Sequence, residues 1–370
     1  MGAVAPTGTT RWPLVGRQVE LDRCVDALDD GVALGVFVHG AAGVGKTRLA
    51  DEVVARLSSA GRLVLRSRGS VASASIPLGA LVHLLPAELL DDRFDPLTLY
   101  SGVARALGGD EQRSVVVFVD DAQWLDPTSA ALLGQLLDGG VISVVGTVRT
   151  GEPASSAVSG LWCRDDVLRI DLDVLSFDDV DTLLHLALGG PVDKTALGQI
   201  WAASGGNALF VKELVLGALS RDHLVERRMV WWLTGPLAST PRLAELVGQR
   251  VREVGGGERS VLEVVAVWES VGLHELTALH GPEPVEGLER AGLLEVHIDG
   301  RRETVVLAHP LHGEVVRADL PTMTRRRLLL ERAERIEGFG ARRREDLPQV
   351  ATARLEGSGR ADPDLLVRAA

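Results

Sequence analysis

Hydrophobic and polar positions divide the chain into two regimes. In the first 150 residues the apolar residues come in short unbroken runs: Gly35-Val36-Phe37-Val38-His39, Ser114-Val115-Val116-Val117-Phe118-Val119 and Val141-Ile142-Ser143-Val144-Val145-Gly146-Thr147-Val148. Such runs suit strands buried on both faces of a parallel sheet. Between them the apolar residues recur at helical spacing, as in Arg48–Val54 and in the amphipathic segment that follows Leu14–Leu21 and runs to Leu28. Beyond Pro153 the strand signals thin out, and Phe177–Leu188 and Lys194–Ala203 read as helices. Ser204-Gly205-Gly206-Asn207 reads as a helix stop followed by a fresh N-cap for the apolar run beginning at Ala208. Further on, helical segments are predicted at Arg242–Val254, Ser260–Trp268, Leu273–His280 and Pro284–Ala291. Two strands, Leu293–Ile298 and Glu303–Leu307, follow them around the hairpin signal Asp299-Gly300.

A chain of 370 residues exceeds one ordinary core, so several domains are expected. With 46% hydrophobic and 24% charged residues, the composition is that of a folded globular protein. The formal net charge of −12 argues against a broad nucleic-acid or anionic-membrane surface. Cys24 and Cys163 stand at no metal-ligand spacing and read as ordinary thiols of a reducing compartment. Met1–Thr10 lacks the regions of a signal peptide, and the apolar stretch from Ala130 to Val148 is interrupted by Gln135, Asp138 and a glycine pair. No membrane span is therefore expected, and the expected location is cytoplasmic.

The chemistry is concentrated between the runs. Gly40-Ala41-Ala42-Gly43-Val44-Gly45-Lys46-Thr47 has the form G-x-x-x-x-G-K-T, flanked by a strand and a helix as a phosphate-binding loop requires. Its glycines allow backbone N–H groups to turn around a polyphosphate at a helix N-terminus. The backbone of Gly40, Ala42, Gly43, Val44, Gly45 and Arg48, together with the Lys46 ammonium, is expected to bind the phosphates of ATP or ADP. The Thr47 hydroxyl is expected to ligate Mg²⁺. The second apolar run ends in Asp120-Asp121: Asp120 is the second expected metal ligand and Asp121 the expected base for an attacking water. The third run ends at Arg149, a cation placed to sense a γ-phosphate. Together with the glycine-rich loop, the backbone of Val15, Gly16 and Arg17 is placed to bracket the adenine base.

Four motifs taken together, G-R-x-x-E-L, G-x-x-x-x-G-K-T, V-V-V-F-V-D-D-A-Q-W-L-D and V-V-G-T-V-R-T-G-E-P, resemble the ATPase domain of the STAND class of AAA+ P-loop proteins. More narrowly, they resemble the N-terminal part of the large ATP-binding regulators of the LuxR type. Trp124 and Asp126 match the family's aromatic and second aspartate, and the sensor arginine falls on Arg149. The resemblance covers most of residues 13–320. It implies an α/β P-loop NTPase domain with a parallel sheet and helices on both faces, followed by a helical lid, a winged-helix domain and the start of a helical-repeat region. The implied boundaries are a flexible tail at 1–12, the ATPase domain at 13–175, the lid at 176–238, the winged helix at 239–322 and a repeat-like helical segment at 323–370. Asn207 falls on the family's G-N-P-L-F motif, with Ala208 replacing its proline. His309, in a stretch resembling H-P-L-x-R-E-V-V, is implied as a contact to the ADP phosphates.

DNA contact by the winged helix is not expected. Residues 241–320 carry eight arginines and lysines against fourteen acidic residues, and the helix that would read bases carries Glu283, Glu286 and Glu289 with only Arg290. The arginine-rich stretches at Arg325–Arg327 and Arg342–Arg344 are interleaved with glutamates and read as solvated helix faces. The last segment stops mid-helix, as expected of the N-terminal portion of a longer protein. The resemblance thus implies a slow ATPase operating a signalling switch. ADP closes it; ATP opens it for self-association and transcription control, with an unidentified inducer or protein partner. A turnover AAA+ ATPase or motor is the alternative. A small-molecule kinase is disfavoured because no acceptor site is evident.

Overall fold

In the computed structural model the three apolar runs form the middle of a parallel sheet. The structure describes residues 12–86, 96–107, 115–237, 254–299, 302–308, 310–338 and 346–359, together with Thr240, Glu245, Gly248 and Asp362. The expected tail (1–11), most of the expected helix at 242–254, and His309 lie outside them. By packing, the chain divides into two compact units. The first comprises Met1–Trp201, Gly206–Lys212 and Val225–Leu233; the second comprises Ala202–Gly205, Glu213–Leu224 and Thr234–Ala370.

The first unit is built on five parallel strands: β1 (Gly35–Gly40), β2 (Leu63–Arg68), β3 (Val115–Asp120), β4 (Ile142–Arg149) and β5 (Val167–Asp171). Their spatial order is β2-β3-β4-β1-β5, so β4 lies between the strand leading into the glycine-rich loop and the strand ending in the aspartates. Strand periodicity sorts the side chains. Val36, Val38, Val116 and Phe118 pack under helices α1 (Gln18–Asp29) and α2 (Lys46–Ser59), in a core that includes Leu49, Val53 and Leu57. Phe37, Val115, Val117 and Val119 face the opposite core, with α3 (Pro96–Leu107), α4 (Pro127–Asp138) and the single-turn α5 (Ser156–Ser159) supplying Leu99, Val103, Leu133, Leu137 and Val158. Both faces are covered, as unbroken apolar strands demand. Leu49, Leu57, Leu133 and Leu137 are fully buried, and truncating one of them to alanine would cost about 2–5 kcal/mol. Cys24 sits in the α1/α2 core, where burial pushes its thiol up to about 12; Cys163 is exposed, and both are free.

β5 follows Pro153, in a stretch where the sequence carries no strand signal, and pairs along the outer side of β1. Its sequence, Val-Leu-Arg-Ile-Asp, places charges on an edge strand and so lacks the apolar run that marks a central one. The segment expected to be wholly helical contains α6 (Phe177–Leu188), α7 (Lys194–Ser204) and α8 (Ala208–Leu219), and it also contains a hairpin of β6 (Leu224–Arg227) and β7 (Val230–Leu233). The hairpin turns at Arg228 and Met229, both with positive φ (53° and 64°). The two-residue loop suits the strand twist although neither residue is glycine.

In the second unit α9 (Gly256–Trp268) buries Val261, Leu262, Val265 and Trp268, and the Trp268 indole donates to the Leu328 carbonyl at 2.9 Å. A short strand β8 (Ser270–Gly272) leads into α10 (Leu273–His280) and α11 (Pro282–Arg290). The expected hairpin follows as β9 (Leu294–Asp299) and β10 (Arg302–Leu307), and β10 also pairs with β8 to make an antiparallel three-stranded sheet. A three-residue strand carries too little pattern to be visible in sequence. Helices α12 (Pro310–Asp319), α13 (Thr322–Gly338) and α14 (Asp346–Ser358) complete the unit, with α13 and α14 packed on each other. Among the described residues no helix is long and apolar enough to cross a membrane.

Candidate nucleotide site

The glycine-rich loop leaves β1 at Gly40 and enters α2 at Gly45, and three of its glycines hold backbone angles that L-residues rarely adopt: Gly40 (φ 155°), Gly43 (φ 83°) and Gly45 (φ 106°). At Gly40 a Cβ would lie 2.5 Å from the Leu172 carbonyl, so neither the angle nor the space admits a side chain. The first hydrogen bond of α2 runs from Leu49 N–H to the Gly45 carbonyl (2.9 Å), so the N–H groups ahead of Leu49 have no acceptor within the helix, the arrangement that attracts anions at helix starts. Lys46 is buried in the loop, with its ammonium donating to the Ala41 carbonyl at 2.8 Å. Arg48 contributes its place in that turn. Its guanidinium is committed to Glu52 (2.7 Å) and to the Trp12 carbonyl (3.3 Å).

Parallel pairing brings the ends of β3 and β4 alongside this loop. Thr47 Oγ1 donates to Asp120 Oδ1 at 2.8 Å, joining the two expected metal ligands. Thr147, on β4, donates to the same Asp120 oxygen at 2.7 Å while its hydroxyl accepts the Asp121 N–H at 2.9 Å. Asp121 leaves the strand in a left-handed conformation (φ 53°, ψ 49°), which turns it out of line with Asp120. Gln123, buried, donates to Asp121 Oδ1 at 3.2 Å and accepts the Arg149 N–H at 3.0 Å. The Arg149 guanidinium stands 3.7 Å from Asp121 Oδ1 and 3.5 Å from Glu152. Thr147, Gln123 and Arg68, which lies 3.3 Å from Asp121 Oδ2, are three site residues that sequence reasoning missed. Thr147 and Gln123 stand inside the very motifs that carry the resemblance, but only strand register shows which carboxylate each one holds.

A fourth wall comes from the start of α8. Asn207 caps that helix, its Oδ1 accepting from the Leu209 N–H (3.2 Å) and the Phe210 N–H (3.4 Å). The same amide donates through Nδ2 to the Ala42 carbonyl at 2.8 Å, and Leu209 N–H donates to the Gly43 carbonyl at 3.0 Å. A Cβ on Gly43 would lie 2.5 Å from Asn207 Oδ1, so the glycine is what lets the helix start touch the loop. These contacts do not involve the side chain of Ala208, the residue that replaces the family's proline.

Val15, Gly16 and Arg17 are fastened elsewhere in the same unit. The Arg17 guanidinium is buried, donates to the Asp173 carbonyl and lies 3.6 Å from Glu20. Its side chain therefore holds the segment in place, and any contact to a base falls to the backbone. Gly16 has φ 66°, and a Cβ there would come within 2.3 Å of the Asp179 carboxylate, which belongs to the capping box of α6. Gly16→Ala is accordingly expected to destabilise the protein by about 1–3 kcal/mol, read as a lowered denaturant midpoint at unchanged slope. A midpoint equal to wild type would show that this approach is not needed.

The residues fit a nucleoside polyphosphate with Mg²⁺. The glycine cradle excludes side chains, a hydroxyl and a carboxylate share one point, and Arg149 Nε is a buried donor with no acceptor among the described residues. Beneath the loop, burial, with help from Arg169 and Lys46, pushes the His39 imidazole down to about 4, so it adds no positive charge at neutral pH.

Residues 13–144 match the family model of the AAA ATPase domain. This chain carries an AAA ATPase domain. No curated protein matches the sequence significantly. Among solved structures, the ORC2 protein of Aeropyrum pernix, in ADPNP-ADP complexes, aligns over 84% of this chain and 96% of its own at 15% identity and a TM-score of 0.52, which shows the shared AAA+ fold. A RuvB variant of Thermotoga maritima aligns over 83% and 96% at 16% identity and a TM-score of 0.43. A signal-transduction ATPase with numerous domains (STAND) from Pyrococcus horikoshii, which has a tetratricopeptide-repeat sensor, aligns over 95% of this chain and 50% of its own. Its identity is 14% and its TM-score 0.39.

Proposed function

We propose that the AAA ATPase domain of this chain is an ATP/ADP-operated switch of the STAND class, hydrolysing ATP slowly to reset itself. The observation that carries the reading is the direct fastening of α8 to the phosphate loop, through Asn207 to the Ala42 carbonyl and Leu209 to the Gly43 carbonyl. Two hydrogen bonds to the loop's own backbone mean that any rearrangement of the loop around a different phosphate number changes the footing of that helix. That is the differential contact a nucleotide switch needs. Order and spacing of the four motifs support the same class. The helices and three-stranded sheet of the second unit support a winged-helix reading, and α13 with α14 supports the opening of a repeat region.

In the proposed chemistry Lys46 and the loop N–H groups hold the phosphates, while Thr47 and Asp120 hold Mg²⁺. That ion would neutralise charge on the phosphate oxygens when bound. Asp121 accepts a proton from the attacking water as the new O–P bond forms and the bond to the diphosphate leaving group breaks. Thr147 fixes the Asp121 backbone, Gln123 fixes its carboxylate, and Arg149 faces the charge that develops.

The test of the switch is the assembly state under each nucleotide. With Mg·ATP in a slowly hydrolysed form the protein should self-associate, and with ADP it should remain in its smaller form, measured by light scattering after size separation. Identical profiles with both nucleotides, combined with rapid multiple turnover, would favour the alternative of a turnover AAA+ ATPase. Control of transcription would then pass through a partner or a further segment, since this chain is expected to lack specific DNA affinity. Helix α11 is acidic and the chain carries −12, so counterion release is too small to supply even non-specific binding. Submicromolar binding to duplex DNA at physiological salt would overturn that expectation.

A further inference from the structure

We infer that Arg68 is a further cation of this site and makes it prefer a nucleoside triphosphate to the diphosphate; the inference rests on the nucleotide reading above. Arg68 is the last residue of β2, in register with Asp120 on β3. Its guanidinium reaches across the strand ends to both acidic residues: Nη2 is 3.3 Å from Asp121 Oδ2 and Nε is 3.9 Å from Asp120 Oδ2. The backbone behind it is held close. Gly69 N–H donates to the Asp120 carbonyl at 2.8 Å, and a Cβ on Gly69 would lie 2.4 Å from the Asp121 carbonyl, so the chain turns hard against the end of β3 directly after Arg68.

Charge gives this placement its meaning. Asp120 and Asp121 are two adjacent carboxylates beside the place where Lys46 and Thr47 position the terminal phosphate, and alone they would repel it. Arg149 approaches Asp121 at Oδ1 and Arg68 approaches it at Oδ2, so the carboxylate lies between two guanidiniums. The Arg68 side chain is 72% exposed, and exposed ion pairs are weak, so it changes partner at little cost. A γ-phosphate brings new negative charge to these carboxylates and gives that guanidinium a partner of better geometry. A diphosphate lacks the third phosphate and the charge it carries. Arg66, two residues earlier on the same strand, is a natural control. It pairs with Asp51 at 2.6 Å and lies over the Phe118 ring, so deleting it removes the same charge without touching the aspartates.

The experiment compares dissociation constants for Mg·ATP and ADP, by calorimetric titration, in wild type, Arg68→Ala, Arg68→Lys and Arg66→Ala. Thermal midpoints are recorded alongside to verify folding. Arg68→Ala should weaken ATP about tenfold and ADP less than twofold. Arg68→Lys should fall between it and wild type, and Arg66→Ala should match wild type for both. Equal weakening of ATP and ADP, no weakening of either, or an Arg66→Ala effect as large as that of Arg68→Ala would overturn the inference and leave nucleotide binding standing. A folded wild type that binds neither nucleotide would instead remove the nucleotide reading itself, and this inference with it. If Arg68→Ala fails to fold, the ATP-to-ADP ratio of Arg68→Lys decides: a ratio equal to wild type overturns the inference.

Discussion

Lys46→Ala is expected to abolish measurable binding of both ATP and ADP while the AAA ATPase domain stays folded. The lysine is 7% exposed, sits in the first turn of α2 and holds its ammonium 2.8 Å from the Ala41 carbonyl, inside the glycine cradle. Phosphate binding there depends on that charge, because the other donors of the loop are neutral N–H groups. Losing a charge-assisted contact at a buried site costs about 3 kcal/mol, which is roughly a hundred- to two-hundredfold in affinity. The fold should survive. The alanine has high helix propensity at a helix start, and the lost charge-assisted bond to Ala41, worth about 1.5–3 kcal/mol, is offset in part because an ammonium no longer has to be buried. A nucleotide titration with a melting curve on the same sample separates the two effects. Retained affinity for both nucleotides in a folded variant would contradict the assignment of the loop as a phosphate cradle.

What the sequence made visible follows from burial. β1, β3 and β4 occupy the centre of the sheet with helices on both faces, so most positions along them are apolar, and the runs at 35–38, 115–119 and 141–148 are conspicuous. The residues that follow or end such strands are then conspicuous as well, and Lys46, Thr47, Asp120, Asp121 and Arg149 gather at the C-terminal ends of these central strands. β2 and β5 are edge strands carrying Arg66, Arg68, Arg169 and Asp171, and charge hides the strand pattern. Contacts between distant segments left no local signal at all. That Thr147 would grip Asp120, or Gln123 bridge Asp121 to Arg149, depends on strand order β3-β4-β1, which no spacing along the chain encodes. At Arg17 the expected contact to a base is a backbone one, and only the fold shows the work of the side chain: its guanidinium is buried against the Asp173 carbonyl and near Glu20.

On the proposed reading Asp120 and Asp121 divide metal binding from hydrolysis, and the two substitutions there should differ in kind. Asp121→Asn keeps shape and backbone, because asparagine accepts the left-handed conformation (φ 53°) more readily than most residues. It retains an oxygen for Gln123 but removes the charge that engages Arg68 and Arg149. Mg·ATP should therefore bind at least as well as in wild type, while phosphate release slows by roughly a hundredfold or more, the usual contribution of a positioned general base. Asp120→Asn acts at another step. Asp120 Oδ1 accepts from both Thr47 and Thr147, and an asparagine oxygen preserves those bonds while surrendering the charge that a divalent cation requires. Its ATP affinity should lose its dependence on Mg²⁺, and hydrolysis should fall as a consequence. Titrations with and without Mg²⁺, paired with a phosphate-release assay, resolve the two cases. If Asp121→Asn hydrolyses ATP at the wild-type rate, the base lies elsewhere. If Asp120→Asn keeps Mg²⁺-dependent binding, the metal role of that carboxylate is wrong, and Thr47 and Thr147 hold it for structural reasons alone.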